Sequence, residues 1–166
     1  MQGQGLLFVK LWFKFRYMFS SACETALRLL TFTAAQELSV SRLSILDLAR
    51  ATDTPVAYAA KILQVLSRKG LISSAKGPNG GFFLEQRQFD QLTAFDVVEA
   101  IDGLALFKTC MLGLRDCSGQ RPCPMHQDFV VIRTHLEAAL RRTTLQALAA
   151  RYRTGQNFIS LNNLND

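Results

Sequence analysis

The sequence predicts a mainly α-helical fold with one small β-hairpin. Three observations carry this. Three successive segments between Ser21 and Lys69 open on helix-start residues and then repeat apolar positions at helical spacing. Directly after them the period changes to that of strands on either side of Lys76-Gly-Pro-Asn-Gly-Gly81. Further on, a long segment from Asp128 carries one narrow apolar stripe. Helix, helix, helix, hairpin is the order of a winged helix–turn–helix, and the long helix suits a dimer contact.

Each element has a local reason. In the first helix Ser21 is expected at the N-cap with Glu24 three residues on, a capping box in which each side chain satisfies one orphan amide. Ala26, Leu29, Leu30 and Thr33 then recur at helical spacing to about Gln36, and 37–43 reads as a polar loop. Ser44 and Asp47 open a short second helix with Ile45, Leu48 and Ala49 on one side. Pro55 suits the first position of a third helix, where its missing N–H costs nothing, and Gly70 ends that helix. Val56, Ile62, Leu63, Val65 and Leu66 are expected to face a core, and Tyr58, Lys61, Gln64 and Arg68 to face outward. Residues 71–75 and 82–84 read as strands around a turn that tolerates positive φ. Thr93 and Asp96 cap another short helix ending near Gly103. The segment 108–126 holds too many Gly, Pro and polar residues for a regular element. The long helix runs from Asp128 to about Arg142 with Phe129, Ile132, Leu136, Ala139 and Leu140 along its stripe, and a last helical stretch lies near Thr144–Tyr152.

The expected organisation is therefore an N-terminal extension (1–17), a winged helix–turn–helix domain (18–103), a cysteine-rich loop (104–127), a dimerisation helix region (128–153) and a polar tail (154–166). With 49% apolar residues in 166, the chain has enough for a core and is not disordered as a whole. No uncharged apolar run reaches the ~18 residues that a membrane span needs. Four Cys are too few, in so long a chain, for a small disulfide scaffold. The net charge of +6 points to a polyanionic partner. Half of it lies in 1–17, where Lys10, Lys14 and Arg16 meet no acid. That segment reads as a disordered extension, or as sequence upstream of a working start at Met18, in preference to a cationic arm on a membrane or on DNA.

Two constellations carry chemistry. The third helix would enter a DNA major groove and present Pro55, Val56, Ala57, Tyr58 and Lys61. Tyr58 can donate to a phosphate, Lys61 to a phosphate or a guanine, and Val56 or Ala57 can touch a thymine methyl. The wing turn, with Lys76, Gly77 and Asn79, would reach the backbone or the minor groove. The second constellation is Cys110, Cys117, Cys123 and His126, spaced C-x6-C-x5-C-x2-H. Thiolates and a nearby imidazole bind soft or borderline metals, but this spacing is too wide for a ribbon-type zinc site. It suits a cluster several ångström across, and Pro124 follows Cys123 as in some ferredoxin runs. A disulfide switch and inert thiols are the alternatives. Cys23 is expected to be buried. With only two His, and no nucleophile–base or phosphate-cradling motif, the chain does not read as an enzyme.

Several stretches resemble one family. SSACETALR (20–28), ILQVLSRKGLISSAKGPNGG (62–81) and FDVVEAID (95–102), followed by three loosely spaced Cys, are similar to the bacterial winged-helix transcriptional regulators typified by the iron–sulfur regulator IscR and the nitric-oxide sensor NsrR. The likeness runs from Met18 to about residue 150. It implies a cytoplasmic homodimer with crossed long helices on double-stranded DNA with a two-fold symmetric operator, without a membrane partner or a small-molecule substrate. It also implies an iron–sulfur cluster on Cys110, Cys117 and Cys123 that controls operator affinity, most simply in a repressor. His126, or Glu24 of the partner subunit, would be the fourth ligand; His126 favours a 2Fe–2S over a 4Fe–4S cluster. A cysteine thiol or disulfide switch without a cluster is the alternative sensor. The chain departs from IscR at Ala60, where IscR has an acidic residue, and at Lys76, where it has Arg.

Overall fold

The computed structural model describes residues 18–36, 42–155 and 157–160. The expectations placed on 1–17, on 37–41 and on the end of the tail lie outside those residues.

Helix α1 (Ser21–Ala35) has Ser20 as its N-cap, whose hydroxyl accepts from the Cys23 amide at 3.1 Å. The expected Ser21–Glu24 capping box does not form. The role of its acid falls to Asp102, far along the chain, whose carboxylate accepts from the Ser20 amide at 2.8 Å and also from the Ser20 hydroxyl. Ala26, Leu29, Leu30 and Thr33 are buried as expected.

Helix α2 (Ile45–Ala51) does open on the Ser44–Asp47 capping box. The Asp47 carboxyl is held below its ordinary range by the hydrogen bonds from Ser44. Ser44→Ala is expected to cost about 1 kcal/mol, seen as a lower urea midpoint at unchanged slope. Helix α3 (Val56–Arg68) starts one residue later than expected: Pro55 is its N-cap, and its carbonyl accepts from Tyr58 and Ala59. Gly70 lies just past the Lys69 C-cap at φ +73, a left-handed conformation that glycine adopts without strain.

The buried face of α3 is Ala59, Ile62, Leu63 and Leu66. Two expectations fail here. Val56 is 45% exposed, because the first turn extends past the layer that covers the rest of the stripe. Tyr58, expected outward, is half-buried and packs on the core with its hydroxyl 3.5 Å from that of Ser21.

Strands β1 (Ser73–Ala75) and β2 (Gly81–Phe83) pair antiparallel, with Ser74 opposite Phe82. They are shorter than the apolar runs predicted, because Leu71, Ile72 and Leu84 turn into the core instead. Leu43 adds a one-residue bridge to Phe82, with two 2.9 Å backbone hydrogen bonds. Helix α4 (Gln86–Gln91) was not anticipated; it opens on a Glu85–Gln88 capping box and buries Phe89. Helix α5 (Ala94–Ile101) carries the expected Thr93–Asp96 capping box. A single-turn α6 (Ala105–Lys108) follows, then α7 (His126–Arg142) and α8 (Leu145–Arg153).

Helix α1 is central, covered by α8, α3 and α5. Leu29, Leu30, Leu63, Leu66, Val97 and Leu145 are fully buried in one cluster. Helix α8, grouped by sequence with the dimerisation helix, joins this core. Leu145 and Ala149 are fully buried in it, and Arg153 donates to the Ala34, Ala35 and Gln36 carbonyls at the end of α1. Helix α7 differs. It rests on α5 and α6 and buries no residue fully. Of its predicted stripe, Phe129, Leu136 and Leu140 are half-buried while Ile132 and Ala139 are exposed.

Candidate thiol centre and nucleic-acid interface

The segment between α6 and α7 is a run of tight turns, and each candidate Cys starts or closes one. The Gly113 amide donates to the Cys110 carbonyl, the Cys117 amide to Leu114, and the His126 amide to Cys123. From α7, Arg133 donates to the Thr109 carbonyl at 2.9 Å and holds the start of the loop. These turns gather the three Sγ atoms of Cys110, Cys117 and Cys123 within 4.8 Å of one another, all half-buried. Two contacts are closer. Cys110 Sγ lies 3.6 Å from Cys123 Sγ, and Cys117 Sγ lies 3.2 Å from His126 Nδ1. So the three predicted cysteines converge, and His126 reaches Cys117.

Backbone amides at Leu114 and Leu112, with help from the neighbouring thiols, pull the Cys110 thiol down to about 7. Burial pushes Cys123 upward. In metal-free protein Cys110 is therefore expected to alkylate first at pH 7, its rate rising as pH passes through about 7 and the thiolate forms. Peptide mass mapping after brief iodoacetamide treatment checks this. Cys23 is buried as expected. Burial, with the Asp102 and Glu24 charges, pushes its thiol up to about 12, so it stays an inert apolar residue. Glu24, freed from a capping role, sits half-buried in the first turn of α1, and among the described residues no hydrogen bond reaches its carboxylate. It is not grouped with the thiols of its own chain.

Pro55, Val56, Ala57 and Lys61 are all exposed, on the N-cap and first two turns of α3. Lys76, Gly77 and Asn79 are exposed in the wing turn. Tyr58 is half-buried, its ring packed on the core and its hydroxyl 3.5 Å from that of Ser21 at the α1 N-terminus. The two regions are linked. Asp102, the C-cap of α5 just before the cysteine loop, bonds Ser20, and the next residue, Ser21, reaches Tyr58 on α3. Sequence reasoning did not find this link, nor Arg42 beside the wing. Asp102 and Ser20 are 82 residues apart, and Arg42 stood in a stretch read as loop.

A winged helix whose third helix exposes Pro55, Val56, Ala57 and Lys61, followed by a three-thiol loop, defines a class: transcriptional regulators of the winged-helix type with a cysteine centre. Within that class, residues 19–151 match the Rrf2 model, described as an iron-dependent transcriptional regulator, and the chain belongs to the Rrf2 family. It is 28% identical over 134 residues to a protein of Aquifex aeolicus (strain VF5) named as an HTH-type transcriptional regulator, covering 79% of this chain and 90% of that one. The fold is similar to that of CymR, named as the global cysteine regulator of B. subtilis (TM-score 0.67, 22% identity, 80% of this chain and 96% of that one). It is also similar to that of T. potens IscR (TM-score 0.62, 17% identity, 83% of this chain and 90% of that one). Among the described residues no helix is long and apolar enough to cross a membrane.

Proposed function

We propose that this regulator binds DNA as a cytoplasmic homodimer, acts as a repressor, and has its operator affinity set by an iron–sulfur cluster in the 104–127 loop. The observation that carries this is the pairing of donors: Cys110 with Cys123, and Cys117 with His126. Two thiolates on one tetrahedral metal atom, each at about 2.3 Å, stand about 3.8 Å apart. The 3.6 Å between Cys110 and Cys123 fits that geometry. Cys110, Cys117 and Cys123, with His126 beside Cys117, would be the residues that hold a 2Fe–2S cluster, and that contact favours His126 over Glu24 of the partner subunit as fourth ligand. When bound, the cluster supplies a centre that reacts with oxidants or nitric oxide and is lost when iron–sulfur supply fails.

The chain's own residues would carry its state to the DNA. A loop held by metal fixes the position of Asp102, and Asp102 holds the N-terminus of α1, which touches Tyr58 on α3. The loop can change operator affinity only through such a differential contact with two arrangements of the winged helices. Met111, Leu112 and Leu114 in the loop and Val130, Val131 and Ile132 on α7 are exposed apolar residues, a surface suited to a second subunit. Two subunits imply a two-fold symmetric operator. We propose no enzymatic role, because the family model that matches residues 19–151 is that of a transcriptional regulator.

Anaerobic purification with a visible spectrum and iron and sulfide counts tests the cluster. About two of each per chain are expected. A colourless, iron-free protein would refute cluster sensing while leaving DNA binding intact.

The 3.6 Å approach of Cys110 to Cys123 favours one second reading. In it a peroxide oxidises the two thiols to a disulfide. The peroxide takes the two electrons, and the two thiol protons leave in water. A reproducible Cys110–Cys123 disulfide by mass spectrometry, with no bound metal, would select it.

A further inference from the structure

Arg42 belongs to neither constellation above, yet it is built into the wing. The Leu43 bridge to Phe82 adds a third strand position to the hairpin and places Arg42 at its edge. That docking depends on Gly81. A Cβ there would lie 2.7 Å from the Leu43 carbonyl oxygen and 3.1 Å from the Arg42 carbonyl carbon, both backbone atoms that cannot swing aside. The guanidinium of Arg42 is aimed by two contacts. Its Nη1 donates to the Asn79 carbonyl in the wing turn at 3.4 Å, and its Cζ lies 5.3 Å from the centroid of the Phe83 ring. Both leave the planar group on the surface, where Arg42 is exposed. Among the described residues no carboxylate neutralises it; the ion pair found there is Arg141 with Glu137. A cation held against a ring and a carbonyl, with no acid on it among the described residues, is a donor fork aimed for an anionic partner. It stands in the wing that also presents Lys76, Gly77 and Asn79.

We infer that Arg42 is a DNA-contacting residue of the wing, gripping the duplex beside the half-site entered by α3. The inference rests on the DNA-reading proposal and extends it to a residue beside the hairpin, next to the Leu43 bridge. The partner chemistry is the anionic edge of a duplex, either phosphate oxygens or the electronegative floor of a narrow minor groove.

The test is selection of duplexes from a randomised library with the full chain, followed by affinity measured against salt concentration. Wild type, Arg42→Ala, Arg42→Lys and Lys61→Ala are compared. Arg42→Ala is expected to bind about tenfold more weakly, with a log–log salt slope shallower by about one. If Arg42→Lys restores affinity on all sequences, the contact is to phosphate. If it restores the salt slope but loses a preference for A·T pairs flanking the half-site, the contact is in the groove, where the flat guanidinium is needed. Either result supports the inference. Arg42→Ala with wild-type affinity, slope and selected sequence overturns it, while Lys61→Ala still weakens binding. A wild-type protein that enriches no duplex overturns the DNA-reading proposal itself, and this inference with it.

Discussion

Cys117→Ala is expected to yield, under anaerobic purification, a protein without the visible absorption of the wild type and with little bound iron. Its affinity for DNA should no longer depend on iron supply. Cys117 is one of the three gathered thiols and the one beside His126, 3.2 Å from its Nδ1, so its removal takes away a ligand and isolates the imidazole from the rest. Loss of an outer partner to a metal ligand already costs ~10–100-fold in affinity, and loss of a ligand costs at least as much. The substitution lies in a loop that shares no residue with the buried core, so thermal unfolding should move little. His126→Ala should weaken cluster retention, and Glu24→Ala should not. The opposite result would assign the fourth ligand to Glu24 of the partner subunit. Iron and sulfide counts on the three purified variants decide this.

The second large effect separates the two faces of α3. Leu63→Ala is expected to destabilise the protein by ~2–5 kcal/mol, the cost of an unfilled cavity at a fully buried leucine. Against a total stability of ~5–15 kcal/mol, that is a large fraction of what holds the fold together. Lys61, two residues earlier, is exposed, and Lys61→Ala should leave stability within about 0.5 kcal/mol. It should nonetheless weaken DNA binding by about tenfold or more, the cost of one good phosphate or guanine contact. Denaturant melts and filter or gel-shift binding on the same two variants show whether the faces are as distinct as the packing implies. Equal losses of stability from both would mean that Lys61 is part of the packing.

The contrast between these residues was legible from spacing alone, because one helix face obeys a period that any core enforces. Ile62, Leu63 and Leu66 were assigned inward on that basis and are buried. The wing was legible for a similar reason: its turn residues are chosen by backbone conformation, a local property. What was misread was nonlocal. Ser21 and Glu24 satisfy the capping pattern, but Ser20 wins the cap because Asp102 arrives from 82 residues away to bind it. Tyr58 follows the outward phase of its helix yet is drawn in by the neighbouring α1. Arg42 looked like loop because a single bridged residue, Leu43, leaves no periodic trace. The four loop donors were found by residue type. Their arrangement as two close pairs could not be, because it depends on how several tight turns stack in space.

The most direct test compares two forms of one protein on one duplex. Affinity for a selected duplex is measured with anaerobically isolated, cluster-loaded protein and with the same protein after iron removal, at fixed salt. Cluster control predicts affinities that differ by about tenfold, within the ~5–150-fold range typical of coupling between two sites. Equal affinities for the loaded and iron-free forms would contradict it.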